Sequence, residues 1–503
     1  MNMLRRRFLK VMGSSAALGV LAPRSFATDG PPSARHWPAQ IVAAPELALP
    51  GGKRLPFGWR AAAIGKEPVR FRWADAITGG TPTRLRLAVA LDVRDERKIE
   101  AFLPESGRVV GTFDIRFASL FQPYEIELPA QDADAMCREG LGLRQVAGQE
   151  PLRVFTGGEQ LPPALAVHLL VPGRASAFSE FEARLGSLAS IQPFSWNEGC
   201  VLDGLLDLAE LPGRAQFRQA AQQHLALFIQ HGRLIYEDPK SVPADGRVYG
   251  IEGVLPFAAL ARLEPQHPLL ELPVQFALKR RDASGAGLDG HSTTSEGTYT
   301  VGYPLALLAQ ARRSEELAQL ALAQLRVRQA RLFDGKAFYR THESNGARGN
   351  RNWARGVAWQ LLGLARTLAV LRERSNIADL VRGFVQLADW VQPFQRADGL
   401  WSVFVHEPQL TPDTAGSAGL AAALALGARH GWLPATARTA AAKTLEGLKA
   451  HLTPDGFLGG VSQSNKGGEA LQRGSYRVIY QMAMGLMAQL IAALEAPPSK
   501  GTV

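Results

Sequence analysis

Acidic, basic and aromatic residues are concentrated in one stretch of the chain, from residue 295 to residue 359. Glu296 lies at the start of a helix of small residues, and Arg340 and His342 lie in the loop that follows. The sequence Trp-Ala-Arg-Gly at 353–356 then leads into another apolar helix. A carboxylate can exchange protons, an arginine can bind an anion through two hydrogen bonds, and an indole can stack on a sugar ring. These residue types together predict a site for an acidic carbohydrate.

A second carboxylate, Glu252, lies in the apolar sequence IEGVLPFAAL. An unpaired charge inside a buried helix is costly, so this position favours a functional role. Glu296 follows Thr293 by three residues, which is also the spacing of a capping box at the start of a helix. A cap does not prevent catalysis, and both carboxylates are therefore candidate catalytic acids.

The other candidates each have a structural alternative. Arg355 could bind a substrate carboxylate or form an ion pair within the protein, and the Trp353 and Trp359 rings could face a sugar or the core. His342 could be an exposed loop histidine rather than a ligand.

A later apolar segment contributes further candidates. Trp401 and His406 belong to the sequence LWSVFVHEP and are expected to line the same cavity. Asp413 precedes Thr-Ala-Gly at the start of a small-residue helix, and this position favours a helix cap over a catalytic role.

The periodicity of residues 176–498 is helical. Eleven segments carry apolar residues at helical spacing, and nearly all-apolar segments such as SAGLAAALALGA alternate with amphipathic ones such as ELAQLALAQLRVRQ. Helices that are apolar all round are buried, and amphipathic ones face solvent. The alternation predicts two concentric rings of helices, an (α/α)6 toroid in which twelve helices form six hairpins. The loops before the inner helices should converge on one end of the central cavity.

The preceding part of the chain has a different pattern. From about residue 67, short and often alternating runs are separated by Gly, Pro, Asn or Asp, which is typical of an antiparallel β-sandwich. We assign residues 28–175 to this domain and expect an irregular leading segment at 28–64. A structural role is favoured for it over sugar binding.

The first 27 residues have the features of a twin-arginine export signal. Three consecutive arginines precede a short apolar run and a small-residue cleavage site. The formal net charge is +10, and five of these charges lie in this segment, so the remaining charge gives little support to nucleic-acid binding. The expected location is the periplasm or the exterior, reached by a folded protein that keeps no membrane anchor after signal cleavage.

Only two cysteines are present, Cys137 and Cys200, and they fall in different predicted domains. The sequence therefore predicts no disulfide framework and no zinc-binding spacing. The oligomeric state stays open, and a homo-oligomer is one of the alternatives.

Residues 195–495 resemble the unsaturated uronyl hydrolases, glycoside hydrolase families 88 and 105. The resemblance lies in the Trp-Ala-Arg-Gly-x-x-Trp turn at 353–359 and, in order after it, a Gly-Leu-Trp strand, an Asp-Thr-Ala-Gly-Ser-Ala turn, a small-residue helix and a final Gly-Trp-Leu. It implies a toroid that acts at the chain end and removes a 4,5-unsaturated uronic acid from an acidic oligosaccharide. One carboxylic acid protonates the double bond, water adds at C5, and no metal or cofactor is needed.

The resemblance also implies roles for individual residues. Glu296 matches the family's proton donor and Glu252 its second carboxylate, although the family has aspartate at both positions. Trp353 and Arg355 match the family's Trp-x-Arg-Gly turn, and Trp196 matches a tryptophan of its first helix.

The predicted substrate site also includes Arg340, His342 and Trp359, and near these positions the sequence departs from the family. The family's loop histidine falls nearest Arg340, with His342 two residues later, and an asparagine of the family turn is missing before Trp359. These departures leave two alternatives open: a conventional exo-glucuronidase or galacturonidase with a glutamate pair, and a non-catalytic glycan-binding or export-assembly protein.

Overall fold

The computed structural model describes residues 33–74, 80–285, 287–373 and 377–498. The predicted export signal at 1–27 lies outside these ranges. The described chain is mainly helical, with antiparallel sheets in its N-terminal part. Within the described ranges, no helix is long and apolar enough to cross a membrane.

The N-terminal part contains eleven described strands and one helix. The strands are β1 (Arg35–Pro38), β2 (Gln40–Ala43), β3 (Arg60–Ile64), β4 (Val69–Arg72), β5 (Arg84–Ala88), β6 (Glu96–Phe102), β7 (Val109–Arg116), β8 (Pro123–Glu127), β9 (Leu141–Ala147), β10 (Leu152–Gly157) and β11 (His168–Val171). The helix is α1 (Ala130–Glu139).

These strands pair in three antiparallel sheets. Their orders are β2-β4-β9-β6-β7, β1-β11-β5-β8 and β10-β3. Each of the seven runs from which the sequence predicts this domain contains a strand. The expected irregular segment at 28–64 is wrong in its described part, because β1, β2 and β3 lie there and pair with later strands. Helix α1 also interrupts the predicted all-β region.

The remainder of the chain is helical and begins at Ala177. The helices are α2 (Ala177–Leu185), α3 (Trp196–Ala209), α4 (Gln216–Phe228), α5 (Pro256–Leu263), α6 (Glu271–Lys279), α7 (Tyr303–Arg312), α8 (Glu315–Leu332), α9 (Ala354–Leu371), α10 (Ala378–Val391), α11 (Thr414–Arg429), α12 (Ala435–Lys449), α13 (Gly468–Arg473) and α14 (Gln481–Glu495). A π-helical turn, Thr298–Gly302, leads into α7.

Short strands connect several of these helices. They are β12 (Ile229–Gln230), β13 (Arg233–Leu234), β14 (Ser292–Thr294), β15 (Tyr339–Glu343), β16 (Arg348–Arg351), β17 (Val461–Ser462) and β18 (Arg477–Val478). Strands β14, β15 and β16 form one antiparallel sheet beside the start of α7 and α9.

Six helices pack against one another in a closed cycle. Helix α3 contacts α5, α5 contacts α7, α7 contacts α9, α9 contacts α11, α11 contacts α14, and α14 returns to α3. Almost every residue of α11 and α14 is buried, because their side chains are small and apolar on all sides. A Cβ at Gly204 in α3 would lie 2.5 Å from the carbonyl oxygen of Gly485 in α14, so glycine permits the close packing that closes the cycle.

All eleven predicted helices are present. Two helices were missed, α2 and α13. The polar composition of α2, AFSEFEARL, gives a weak apolar pattern, and α13 is only six residues long. Phe181 of α2 is buried, and α2 contacts α14 at the point where the cycle closes.

The N-terminal part packs directly on the helices. Arg86 of β5 donates two hydrogen bonds to Asp455, of 2.6 and 2.9 Å, and neither side chain is exposed. One hydrophobic core runs through both parts, from Phe113 and Phe155 in the sheets to Leu206 and Met484 in the helices. The two parts therefore hold the loops between them in fixed positions.

Candidate active site

A cavity of roughly 280 Å³ opens where the helix-connecting loops meet the N-terminal sheets. It is lined by residues from the starts of four of the six cycle helices and from the segment before α14. The lining residues are Arg94, Ser119, Pro193, Trp196, Asn197, Asp238, Pro239, Lys240, Tyr249, Glu252, Glu296, Trp353, Arg355, Trp359, Ser464, Asn465, Lys466 and Tyr480. The predicted convergence of these loops is thus observed.

Glu252 lies in a single 3-10 turn, Ile251–Val254, immediately before α5. Pro256 begins the helix, so the carboxylate stays at its N-terminal end and faces the cavity. Within the described part of the chain, no hydrogen bond or ion pair to its side chain is observed. Burial and the nearby Glu296 carboxylate raise the pKa of Glu252 to about 8. Glu252 is therefore a neutral acid at pH 7.

Glu296 has a different environment in the same cavity. Its Oε1 accepts a hydrogen bond of 2.5 Å from Nε of Arg340, and its Oε2 accepts a weaker one of 3.4 Å from Ser295. Arg340 comes from β15, which pairs with β14 just before Glu296 and so holds the two side chains together. Glu296 is thus a carboxylate paired with a cation.

The predicted capping box does not form at this position. Thr293 lies in β14, and its hydroxyl accepts a hydrogen bond of 2.7 Å from Arg331 instead of capping a helix. The Glu296 side chain is occupied by Arg340, so no capping contact competes with a role in the cavity.

Three indoles form an aromatic wall. Trp196 begins α3, Trp353 precedes α9, and Trp359 lies one and a half turns into α9. Trp196 and Trp359 pack edge to face with their ring centroids 5.2 Å apart, and Trp359 stacks on Tyr299 behind it. Trp353 donates its indole N–H to Gln472 at 3.2 Å, which fixes its ring plane. The wall is rigid and apolar, as sugar stacking requires.

Arg355 lines the cavity, but its guanidinium is largely used within the protein. Its Nε donates to Asp413 at 2.9 Å, and its Nη2 donates to the backbone and hydroxyl oxygens of Ser462 and to the carbonyl of Gln463. Asp413 also accepts from the Ser462 N–H at 3.0 Å. Asp413 occupies the position before α11 but does not cap it, because its carboxylate binds Arg355 and Ser462 instead. The ion-pair alternative for Arg355 is therefore observed.

Four predicted substrate residues do not line this cavity, although one of them, Arg340, contacts the lining residue Glu296. Trp401 is fully buried, and its indole N–H donates to the Val391 carbonyl at 3.0 Å, so the prediction that it contacts a ligand is wrong. His342 lies two residues after Arg340 in β15, and His406 lies beside Glu407 with its Nε2 3.6 Å from that carboxylate. Neither histidine is placed to touch a sugar bound in the cavity.

Several cavity residues were missed by the sequence analysis. Asn197 donates to the hydroxyl of Tyr480 at 2.6 Å, and this hydroxyl also lies 2.7 Å from Ser119 of the N-terminal part. Asn465 accepts from Arg340 at 3.1 Å, and Lys466 follows it in the same loop. A polar, glycine-flanked run, SQSNKGG, was the signal for this last loop, whereas Ser119 lies in a sheet connection with no distinguishing sequence pattern.

The comparisons with known proteins agree with this picture. Residues 297–496 match the model of Glycosyl Hydrolase Family 88. The predicted resemblance is confirmed. The match indicates a glycoside hydrolase, and it includes Trp353, Arg355 and Trp359 but begins one residue after Glu296. A search among curated proteins finds no match.

Solved structures of GH105-type proteins share the fold at low sequence identity. A family 105 glycoside hydrolase from C. acetobutylicum ATCC 824 has a TM-score of 0.54 and 16% identity, covering 63% of this chain and 98% of its own. A structure from Salmonella enterica serovar Paratyphi A, described as a possible member of the GH105 family, has a TM-score of 0.53 and 18% identity, covering 59% of this chain and 82% of its own. A large part of this chain therefore lies outside each alignment.

Proposed function

We propose that this protein is an exo-acting glycoside hydrolase that removes a terminal uronic acid, in its 4,5-unsaturated form, from acidic oligosaccharides. The observation that carries the proposal is the asymmetry between the two carboxyl groups. Glu252 is unpaired and holds its proton near neutral pH, whereas Glu296 is bound to Arg340. A neutral acid facing an aromatic cavity is the group that a protonation step needs.

The reaction begins with a proton transfer from Glu252 to C4 of the sugar, which breaks the C4=C5 double bond. Positive charge develops at C5 and the ring oxygen, and a water molecule adds at C5. The Glu252 carboxylate takes a proton from that water, so the acid is regenerated. The resulting hemiketal opens to a ketone at C5 and a hemiacetal at C1. The hemiacetal then collapses to an aldehyde, the bond from C1 to the linking oxygen breaks, and the remaining sugar leaves with that oxygen as its hydroxyl. The donor is therefore Glu252 rather than Glu296, the reverse of the assignment that the family resemblance implies.

Glu296 has a supporting role in this scheme. Its negative charge raises the pKa of Glu252, and its ion pair with Arg340 holds it in place. Arg340 also reaches Asn465, which ties the two sides of the cavity together. A carboxylate engaged in this way suits sugar-hydroxyl binding and electrostatic tuning better than nucleophilic attack.

The charges around the cavity support an acidic substrate. Lys466, Lys240 and Arg94 line the same cavity as Glu252. The indoles of Trp353 and Trp359 also line it, and an aromatic lining suits a sugar ring. A uronic acid presents both a ring and a carboxylate, so it matches this combination.

The finer architecture belongs to the same proposal. The closed cycle of α3, α5, α7, α9, α11 and α14, with intervening helices packed on it, supports an (α/α)6 toroid. The gap between the end of β11 and the start of α2 supports a boundary near residue 175 between a β-sandwich domain, 28–175, and the toroid, 176–498.

Export by the twin-arginine route is also part of this proposal. It rests on the arginines at 5–7 and the apolar run after them, and it places the mature protein in the periplasm or outside the cell. Replacing these three arginines by lysine should leave the protein in the cytoplasm, which cell fractionation would show. Unchanged export of that variant would exclude the route.

A conventional exo-glucuronidase is the second candidate. A pair of carboxyl groups in one cavity is also the arrangement of ordinary glycoside hydrolysis. In that mechanism Glu296 would be the nucleophile or the base, and its substitution should abolish activity as completely as that of Glu252.

The experiment that tests the proposal compares two substrates on the same enzyme. A disaccharide with a terminal 4,5-unsaturated uronic acid and its saturated counterpart are offered side by side to the wild type and to the Glu252→Gln and Glu296→Gln variants. We expect turnover of the unsaturated disaccharide, its loss in Glu252→Gln, and a partial loss in Glu296→Gln. Turnover of the saturated disaccharide alone, with complete loss in both variants, would establish the second candidate instead.

A further inference from the structure

The N-terminal part supplies one wall of the cavity. Arg94 and Ser119 both line it, and both come from connections between strands of the sheets, β5 to β6 and β7 to β8 respectively. Ser119 is tied to Tyr480 of the helical part by a hydrogen bond of 2.7 Å. The wall is thus built into the fold rather than placed beside it.

A chain of charged contacts leads from Glu252 outwards to this wall. Lys466 is close enough to Glu252 to lower its pKa, although burial and Glu296 together raise it. The amine of Lys466 forms an ion pair of 2.5 Å with Asp92, and the other oxygen of Asp92 accepts a hydrogen bond of 2.5 Å from Nε of Arg94. Arg94 and Lys466 are thus joined through Asp92.

Arg94 is held in place but keeps one donor available. Its Nη2 donates to the carbonyl of Pro239 at 3.1 Å, and its side chain remains 45% exposed. Nη1 makes no hydrogen bond to any residue in the described ranges. Two contacts thus fix the guanidinium plane at the mouth of the cavity, with its remaining N–H groups directed to solvent or ligand.

Lys240 lies next to this position. It follows Pro239 and lines the cavity, and its backbone is fixed because its N–H donates to Asp238 at 2.8 Å and its carbonyl accepts from Lys53. Its side chain is exposed, and no ion pair of its amine is observed within the described ranges.

The burial of the cavity residues gives its orientation. Trp353 and Trp359 are almost fully buried, and they lie with Glu252 at the deep end, whereas Arg94 and Lys240 are at the mouth. An exo-acting enzyme holds the terminal sugar at the deep end, so the next sugar must pass the mouth.

We propose that Arg94 and Lys240 bind an anionic group, a carboxylate or a sulfate ester, on the sugar that leaves, so that the N-terminal part sets the specificity of the enzyme. This inference rests on the proposed function, because it takes the terminal sugar to be the one cleaved at Glu252. Its recognition chemistry is charge-assisted hydrogen bonding from a guanidinium fixed by Asp92 and from the nearby ammonium.

The test uses the full-length enzyme and three disaccharides that share a terminal 4,5-unsaturated uronic acid. Their second sugar is neutral, carboxylated or sulfated. For Arg94→Ala and for Lys240→Ala we expect KM for a charged disaccharide to rise about threefold to tenfold, the scale of a partly exposed ion pair, with kcat little changed. KM for the neutral disaccharide should stay within about twofold of the wild type. Arg94→Lys should recover most of the loss, and the two charged substrates distinguish carboxylate from sulfate recognition.

The matched control is Arg70→Ala, an exposed arginine on β4 that does not line the cavity, and it should change neither KM value. An equal rise of KM for neutral and charged disaccharides in Arg94→Ala, or no rise for either charged one, would overturn the inference. Absence of turnover in the wild type would overturn the proposed function. In that event the affinity of the wild type for the same disaccharides is measured by calorimetry. Equal affinity for the neutral and the charged disaccharides would contradict the inference.

Discussion

Glu252 and Glu296 face one cavity, yet only Glu296 is paired with a cation, through its 2.5 Å contact with Arg340. Burial and the charge of Glu296 together raise the pKa of Glu252 to about 8. Glu296 is thus held by a cation, whereas the pKa of Glu252 is raised. This division of charge is what the proposed reaction requires, and it makes the behaviour of each residue predictable.

The pH dependence of turnover should reflect the proton on Glu252. Because the neutral form is the donor, kcat/KM should fall as the pH rises through about 8. The measurement is a pH–rate profile with an unsaturated disaccharide. A profile that already falls near pH 5, where an ordinary glutamate loses its proton, would contradict the assignment.

Substitutions of two neighbours of Glu252 should shift the alkaline limb of this profile, the fall of kcat/KM at high pH, in opposite directions. Glu296→Gln removes a negative charge, so the pKa of Glu252 should fall and the limb should shift to lower pH. Arg340→Met removes a positive charge that lowers this pKa, so the limb should shift to higher pH. Both profiles are compared with the wild type under one salt concentration. Shifts of the same sign in both variants would show that charge is not the cause.

Glu252→Gln should stabilise the folded protein above pH 5. The folded-state pKa of Glu252 is raised from 4.5 to about 8, so between these values the folded state holds a proton that the unfolded state releases, and wild-type stability falls as pH rises. Glutamine does not titrate, so the variant does not lose stability in this way. Its free energy of unfolding should exceed that of the wild type by about 2–4 kcal/mol at pH 8, and the difference should vanish below about pH 4. Chemical denaturation at pH 4, 6 and 8 measures it. A difference in the free energy of unfolding that does not change with pH would indicate an effect of packing instead.

Arg355→Lys should act on stability. Lysine cannot reproduce the bonds from Nε and Nη2 to Asp413 and Ser462, all of them buried, so the free energy of unfolding should fall by about 2 kcal/mol. The exposed Arg70→Lys is the control and should be neutral. Unchanged stability with a large rise in KM would restore the substrate-binding role that the sequence predicts.

The sequence was sufficient for eleven of the helices but not for every side chain. Segments of small apolar residues, such as the one that forms α11, must be buried. Their place in the inner cycle of helices could therefore be predicted from their composition. Trp401 was misplaced because an indole beside a predicted site looks the same whether it faces a ligand or the core. The preference of Arg355 for Asp413 depends on a contact between residues 58 positions apart, which no local pattern reveals.

The assignment of the proton donor shows the same limit. Residue types and spacing made both Glu252 and Glu296 candidates, and the resemblance to the family implied Glu296 as the donor. Their difference arises from Arg340, which reaches Glu296 because β15 pairs with β14. Arg94 is a similar case, since its place at the cavity mouth results from how the sheets pack on the helices.

The most direct measurement of the central claim uses a disaccharide whose unsaturated uronic acid is linked through sulfur. The C4=C5 double bond is intact in this compound, while the linking sulfur resists the protonation that ordinary hydrolysis needs. If Glu252 protonates C4, the ultraviolet absorbance of the double bond should disappear at a rate within about tenfold of that for the oxygen-linked disaccharide, and Glu252→Gln should slow both by about a thousandfold. Cleavage of the oxygen-linked compound with no loss of absorbance from the sulfur-linked one would contradict the account.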